Sequence, residues 1–267
     1  MKPTPSHRRV GRLLVHEYGD PGKPVLLVLH GIIDSGQCFP DLVARLGSSY
    51  RIVAPDSLAH GGSDRFTPEE LASEDPAELM YAAVEVVLEE VGPALLMGHS
   101  MGGGLAAALT ARRADLVVAS VLEDPVWIDP SEGGEQRIAE RVTFAQAMAA
   151  DEEAAIAWCR AENPSWPENE YRPWARAKAD VDMDFVGAGV GVLRTPWREI
   201  ASAIRPPTLV VTGDREVILS EPLRVEIAAL RNPALDVHVV PGAGHGIRRE
   251  RGDAFHALVD PWLAEQA

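Results

Sequence analysis

LLMGHSMGGG, residues Leu95 to Gly104, sets Gly98, Ser100 and Gly102 in a G-x-S-x-G pattern between an apolar run and the alanine-rich run LAAALTARR. A serine on a sharp turn from strand to helix is forced into a strained backbone conformation, with its hydroxyl exposed at the top of a sheet. Only small residues fit the flanking positions without collision. The helix that follows aims its N-terminus at the same point, which favours negative charge developing there. The spacing therefore predicts a strand ending near Gly98, a nucleophile at Ser100 and a helix from Met101.

Working outward, short apolar runs alternate with longer helical patterns, the signature of a largely parallel sheet with helices on both faces. GRLLVHEYGD reads as an early antiparallel strand. Pro24 to His30, Tyr50 to Asp56, Ala94 to Gly98, Leu116 to Glu123, Thr208 to Thr212 and Asp236 to Val240 follow. Several are apolar at consecutive positions, as expected of strands covered on both faces. Amphipathic stretches lie near Asp34 to Leu46, Asp75 to Val91, Met101 to Arg113 and Arg249 to Ala264.

The alternation breaks once. From about Val126 to Ile204 no strand is evident, and short helical patterns are punctuated by Pro130, Pro164, Pro167, Pro173 and Pro196. This reads as a helical cap, residues 126–204, inserted into a core domain made of residues 1–125 and 205–267. Trp127, Trp158, Trp166, Trp174 and Trp197 fall in it. They would wall an apolar, ring-accommodating pocket or hold the small subdomain together.

Composition narrows the partners. The 267 residues are 46% hydrophobic with a formal charge of -15, enough apolar content for a full core and the wrong sign for nucleic acid or an anionic membrane. A small-molecule substrate fits better; oligomeric state is not legible. The opening MKPTPSHRRV lacks the apolar core of a secretory signal, and no run is long enough to span a bilayer. Cys38 and Cys159 form neither a disulfide framework nor a zinc spacing, so the chain reads as cytosolic. No metal cluster, dinucleotide glycine pattern or phosphate loop is evident, and no cofactor is expected.

A serine hydroxyl becomes nucleophilic only when a base takes its proton. His245, in VVPGAGHGIRRE between the last strand and the last helix, fits that role, because its Gly- and Pro-rich loop can lean over the sheet's carboxyl edge. His30, His60 and His99 lie in motif loops and His7, His16, His238 and His256 in the tail, strands or final helix, where structural roles are expected. Backbone donors for an oxyanion are expected at Met101, directly after Ser100, and at Ile32, after the His30-Gly31 pair. Gly31 and Trp127 are candidate substrate contacts.

HG before a long loop, APDSLAHGGSD, GHSMGG, TLVVTGD and GAGH, in this order from about Gly11 to Leu263, resemble the α/β-hydrolase superfamily. The resemblance implies a mostly parallel eight-stranded sheet flanked by helices, a cap after the sixth strand, and the order nucleophile, acid, histidine. It leaves the acid between two places. The end of the sixth strand offers Asp124, with Glu123 beside it; the G-x-x-D position after the seventh strand offers Glu216, with Asp214 two residues earlier. Neighbouring strand residues face opposite ways, so Glu123 and Asp124 should not both reach the site. Relatives that cleave through an alkyl ester use an Asp nucleophile, so Ser100 points to acyl chemistry on an ester or lactone. A carbon–carbon bond hydrolase or lyase using the same residues, and a non-catalytic receptor of the same fold, are the alternatives.

Overall fold

The computed structural model describes residues 6–128 and 134–267, so Pro130 lies outside the described residues. Eight strands form one sheet: β1 (Ser6–Val10), β2 (Leu13–Tyr18), β3 (Val25–Leu29), β4 (Arg51–Pro55), β5 (Ala94–His99), β6 (Val117–Glu123), β7 (Thr208–Thr212) and β8 (Leu235–Val239). Their spatial order is β1-β2-β4-β3-β5-β6-β7-β8. β2 runs antiparallel to both β1 and β4, and every other pairing is parallel. The serine-bearing β5 thus sits between β3 and β6, deep in the sheet.

Alternate residues along the central strands feed two cores, one on each face. Leu27, Leu29, Leu96, Leu122 and Val210 join one; Leu26, Val28, Leu95, Met97, Val121, Leu209 and Val211 join the other. The short α2 (Pro68–Leu71) precedes α3 (Pro76–Val91), which with α4 (Met101–Arg112) covers the first face. Helices α1 (Pro40–Leu46) and α12 (Gly252–Gln266) cover the second. Consecutive apolar residues in β3, β5 and β7 therefore reflect burial on both sides rather than a half-exposed sheet.

Between β6 and β7 the described residues hold helices α5 (Glu135–Ala149), α6 (Glu152–Glu162), α7 (Glu168–Asp180), α8 (Met183–Gly187) and α9 (Trp197–Ala203), and no strand. The insertion carries a small core of its own, in which Ala155, Ile156, Cys159, Tyr171, Trp174 and Ala175 pack with Phe144, Met148 and Trp166. Trp158 stacks on Trp174 with ring centroids 6.0 Å apart, and Trp166 on Tyr171 at 6.3 Å. Trp197 instead stacks on Trp127 at 5.7 Å within the main core. At least three of the five tryptophans thus hold the insertion together.

Three parts of the chain depart from the sequence expectation. Ser6–Val10 forms an edge strand where a charged tail was expected: its only buried residue is Val10, and Arg8 is held by ion pairs to Glu17 and Glu90 rather than by apolar packing. The helix α10 (Glu221–Ala229), absent from the sequence expectation, fully buries only Ile227, with Leu223 partly buried one turn earlier, so its apolar face is a single narrow stripe. Two helices, α11 (Ile247–Glu250) and α12, replace the single final one.

Candidate active site

β5 ends at His99 and α4 starts at Met101, leaving Ser100 as the single joint, with φ 55° and ψ -116°. That conformation is costly for a residue with a side chain. The turn is tight enough that a Cβ on Gly98 would lie 2.2 Å from the Gly102 carbonyl oxygen, and one on Gly102 would lie 2.3 Å from that of Leu29. Both glycines are therefore steric requirements of the elbow.

His245 Nε2 lies 3.0 Å from Ser100 Oγ, and its Nδ1 lies 2.6 Å from Asp124 Oδ2. The carboxylate has further partners. Thr212 Oγ1 donates to Asp124 Oδ1 at 2.7 Å, and the N–H groups of Leu219 and Ile218 donate to Oδ1 and Oδ2 at 3.0 and 2.9 Å. Asp124 is fully buried and takes a left-handed φ of 40°, which turns its side chain off the end of β6 toward the histidine. Four donors, two on each oxygen, and a fixed backbone leave that carboxylate little freedom, so the imidazole is held with its proton on Nδ1 and its lone pair toward the serine.

Of the two candidate carboxylates, Asp124 reaches His245 and Glu216 does not. It is exposed on the loop after β7 and makes no contact with His245; Asp214, also exposed, accepts instead from the Gly242 N–H at 2.8 Å. Glu123 points away from the ring, as strand alternation requires, yet it still serves the histidine loop. Its Oε1 accepts from the Arg248 N–H at 2.8 Å. Burial pushes this carboxyl up in pKa, against the opposing pull of Arg248.

Three groups around His245 escaped sequence reasoning. Glu250 clamps the loop, accepting from the N–H of Gly244 at 2.7 Å and of Gly246 at 3.1 Å, the two amides that flank the histidine. His99 Nε2 donates to the His245 carbonyl at 3.0 Å, its ring tilted against the His245 ring at 4.7 Å. Burial, with His245 and Arg248 nearby, drives the His99 pKa well below its ordinary value, so the ring is neutral. Thr212 is the third. A Glu five residues after a histidine in a glycine loop is the one signal that pointed here.

The loop 31–34 also runs beside Ser100. A Cβ on Gly31 would meet His99 Nδ1 at 3.1 Å and Ser100 Cβ at 3.6 Å, so the chain here passes directly beside the serine. The position of a Cβ on Gly191, in the insertion, lies 3.0 Å from Ile32 Cδ1 and 3.5 Å from Met101 Sδ, which brings Ile32 and Met101 together at one spot. Met101 opens α4, so its N–H belongs to the first turn, whose amides have no carbonyl a turn back to bind. Trp127 is buried, with its indole N–H unpartnered, and lines a small cavity with Gly104, Leu105, Val126, Gly191 and Leu193.

The sequence profile of the alpha/beta hydrolase family matches residues 25–258. The chain belongs to that family. A 2-(acetamidomethylene)succinate hydrolase of Mesorhizobium japonicum is 27% identical over 247 residues, covering 88% of this chain and 86% of that protein. Lipase LipV of Mycobacterium tuberculosis is 33% identical over 158 residues, 57% of this chain and 58% of that protein. The solved structure of E-2-(acetamidomethylene)succinate hydrolase matches with a TM-score of 0.78 at 22% identity, covering 98% of this chain and 99% of that chain, a likeness of fold. The relatives of this alpha/beta hydrolase include hydrolases, esterases and lipases. Among the described residues, no helix is long and apolar enough to cross a membrane, and no group of three or more His, Cys, Asp or Glu could hold a metal ion.

Proposed function

We propose that the protein is a serine hydrolase that cleaves an ester or lactone bond in a moderately large apolar or aromatic small molecule. The observation that carries this reading is the unbroken chain Ser100 Oγ, His245, Asp124, with contacts of 3.0 and 2.6 Å. Ser100 attacks the carbonyl carbon while His245 takes its proton, Asp124 stabilising the imidazolium. The negative oxygen of the tetrahedral intermediate is received by the N–H groups of Ile32 and Met101. His245 then returns the proton to the leaving alcohol. A water deprotonated by His245 attacks the acyl-serine and releases the acid.

The helical insertion serves as a cap in this reading, and Trp127 with Gly31 would touch the substrate. An apolar substrate class is supported by Leu105, Val126, Trp127 and Leu193, which line a small cavity on the α4 side of the elbow, although neither Ser100 nor His245 lines it.

Intact-mass analysis after acid quench of a reaction with nitrophenyl esters and aryl lactones of graded size tests both parts. The expected result is an acyl adduct on Ser100 and a higher kcat/KM for the bulky substrates than for nitrophenyl acetate. Turnover without any adduct would move the chemistry to a carbon–carbon hydrolase or lyase, and a marked preference for the acetate would remove the substrate class.

A further inference from the structure

Three consecutive carbonyls of the loop after β3 each face a side-chain nitrogen from a different part of the chain. The Gly31 carbonyl lies 2.8 Å from His30 Nδ1; since His30 Nε2 accepts from the Ser57 N–H at 2.9 Å, the ring proton is on Nδ1 and is donated to Gly31. The Ile32 carbonyl lies 2.5 Å from His60 Nε2. Burial pushes the His60 pKa down to about 3, so the ring is neutral and its one proton serves this nearer carbonyl rather than that of Leu58 at 2.8 Å. The Ile33 carbonyl accepts from Lys178 Nζ at 2.7 Å. His30 and His60 belong to the core, whereas Lys178 comes from α7 of the insertion.

Because a trans peptide is planar, fixing one C=O fixes the N–H of the next residue, which points the opposite way. Lys178 holds the Ile33 carbonyl and so orients the Asp34 N–H, which donates at 3.0 Å to the Gly31 carbonyl. That carbonyl in turn shares a peptide plane with the Ile32 N–H. Two hydrogen bonds and two rigid planes thus connect the ammonium to the expected oxyanion donor.

The burial of this lysine calls for a reason. Its side chain is completely shielded from solvent, a position where a cation is expensive and an apolar residue of similar volume would pack more cheaply. Asp34 has a second cation, Arg249 Nη1 at 3.0 Å from its other carboxylate oxygen, although that guanidinium is shared with Glu170 at 2.8 Å. Lys178 also lies 4.4 Å from the centroid of the Trp174 ring in the insertion's own core.

We propose that Lys178 is a positioning residue for the oxyanion hole, through which the helical insertion holds the Ile32 N–H in its working orientation. The proposal rests on the reading of Ser100 as nucleophile and Ile32 as oxyanion donor. It makes catalysis depend on the docking of α7: displacing the helix would release the Ile33 carbonyl and loosen the peptide that carries the Ile32 N–H.

The test compares wild type with Lys178→Met, which keeps the volume and removes the donor. The readouts are kcat and KM on a nitrophenyl ester, inhibition by an aryl trifluoromethyl ketone, whose hemiketal oxygen occupies the oxyanion hole, fluorophosphonate labelling, and Tm. Direct loss of an oxyanion donor costs about a hundredfold or more in kcat. Indirect loosening should lower kcat by roughly tenfold with KM nearly unchanged, and weaken the ketone in parallel. If Lys178→Met does not fold, Lys178→Gln, a shorter side chain that leaves a polar amide beside Asp34, carries the same expectation. A lower Tm with wild-type kcat and ketone affinity would overturn the positioning role alone. Wild type that fails to label with fluorophosphonate would overturn the serine-hydrolase reading and this proposal with it.

Discussion

Asp124 Oδ2 and His245 Nδ1 lie 2.6 Å apart, joining the end of β6 to the loop after β8 across 121 residues of chain. The same carboxylate receives the Thr212 hydroxyl and the N–H groups of Ile218 and Leu219, so the loop after β7 is tied to it as well. One buried side chain therefore aligns the histidine and gathers two loops at the sheet's carboxyl edge.

Asp124→Asn should abolish most activity, with kcat falling by roughly 10³- to 10⁴-fold, because an amide in that place favours the wrong imidazole tautomer. Glu216→Gln, at an exposed site, should leave kcat within about twofold of wild type. Steady-state kinetics of the two purified variants check the pair; the reverse ranking would move the acid to the seventh strand.

Gly98→Ala should fail at the level of the elbow. Its Cβ would stand 2.2 Å from a backbone oxygen in a helix that cannot retreat without disturbing the core. Overpacking of this kind costs about 1–3 kcal/mol, a fall in Tm of several degrees for a chain of this size. Gly134→Ala, where nothing among the described residues lies within 4 Å, is the control and should hold its Tm in a thermal melt.

Removing the clamp on the histidine loop should affect rate more than binding. Glu250→Ala frees the amides on both sides of His245. Loss of this support should lower kcat by about tenfold with little change in KM, since small misplacements of a base are expensive. Unchanged kcat would mean that Asp124 and His99 hold the ring unaided.

Acid should destabilise the fold through the charged cluster under α7. Burial pushes the Asp34 carboxyl up, but Arg249 and Lys178 outweigh it and hold the folded-state pKa well below the ordinary 3.8. Burial likewise opposes Glu170, whose pKa Arg248 and Arg249 bring below 4.5. A depressed carboxylate stabilises the folded state above its unfolded pKa and loses that contribution as the pH falls through the folded value. Glu123, raised by burial, works the other way. Urea melts from pH 7 to pH 3 should show stability falling below about pH 4.5, and the gap between wild type and Asp34→Asn should narrow over the same range.

The elbow, the central strands and the histidine loop were legible because each rests on a local pattern: apolar runs for strands buried on both faces, a Gly- and Pro-rich loop around His245, and elbow glycines where an added Cβ would lie within about 2.3 Å of a backbone oxygen. The carboxylate was not, because Asp124 and Glu216 both follow parallel strands and both take a left-handed φ, 40° and 50°; only its burial and its contacts with His245 and Thr212 set Asp124 apart. β1 was missed for a different reason. Arg8 and Arg9 serve an exposed edge through ion pairs with Glu17, Glu90 and Asp64, and such partners have no period in sequence. Lys178 was equally invisible, since a lysine on a polar helix reads as surface until its 2.7 Å contact with Ile33 is seen.

The central claim is that Ser100 is an activated nucleophile. Incubating wild type and Ser100→Ala with a fluorophosphonate probe and weighing the intact proteins tests it most directly, because phosphonylation requires a base poised on the hydroxyl. The account predicts one adduct on wild type and none on Ser100→Ala. An unlabelled, correctly folded wild type, or equal labelling of both proteins, would contradict it.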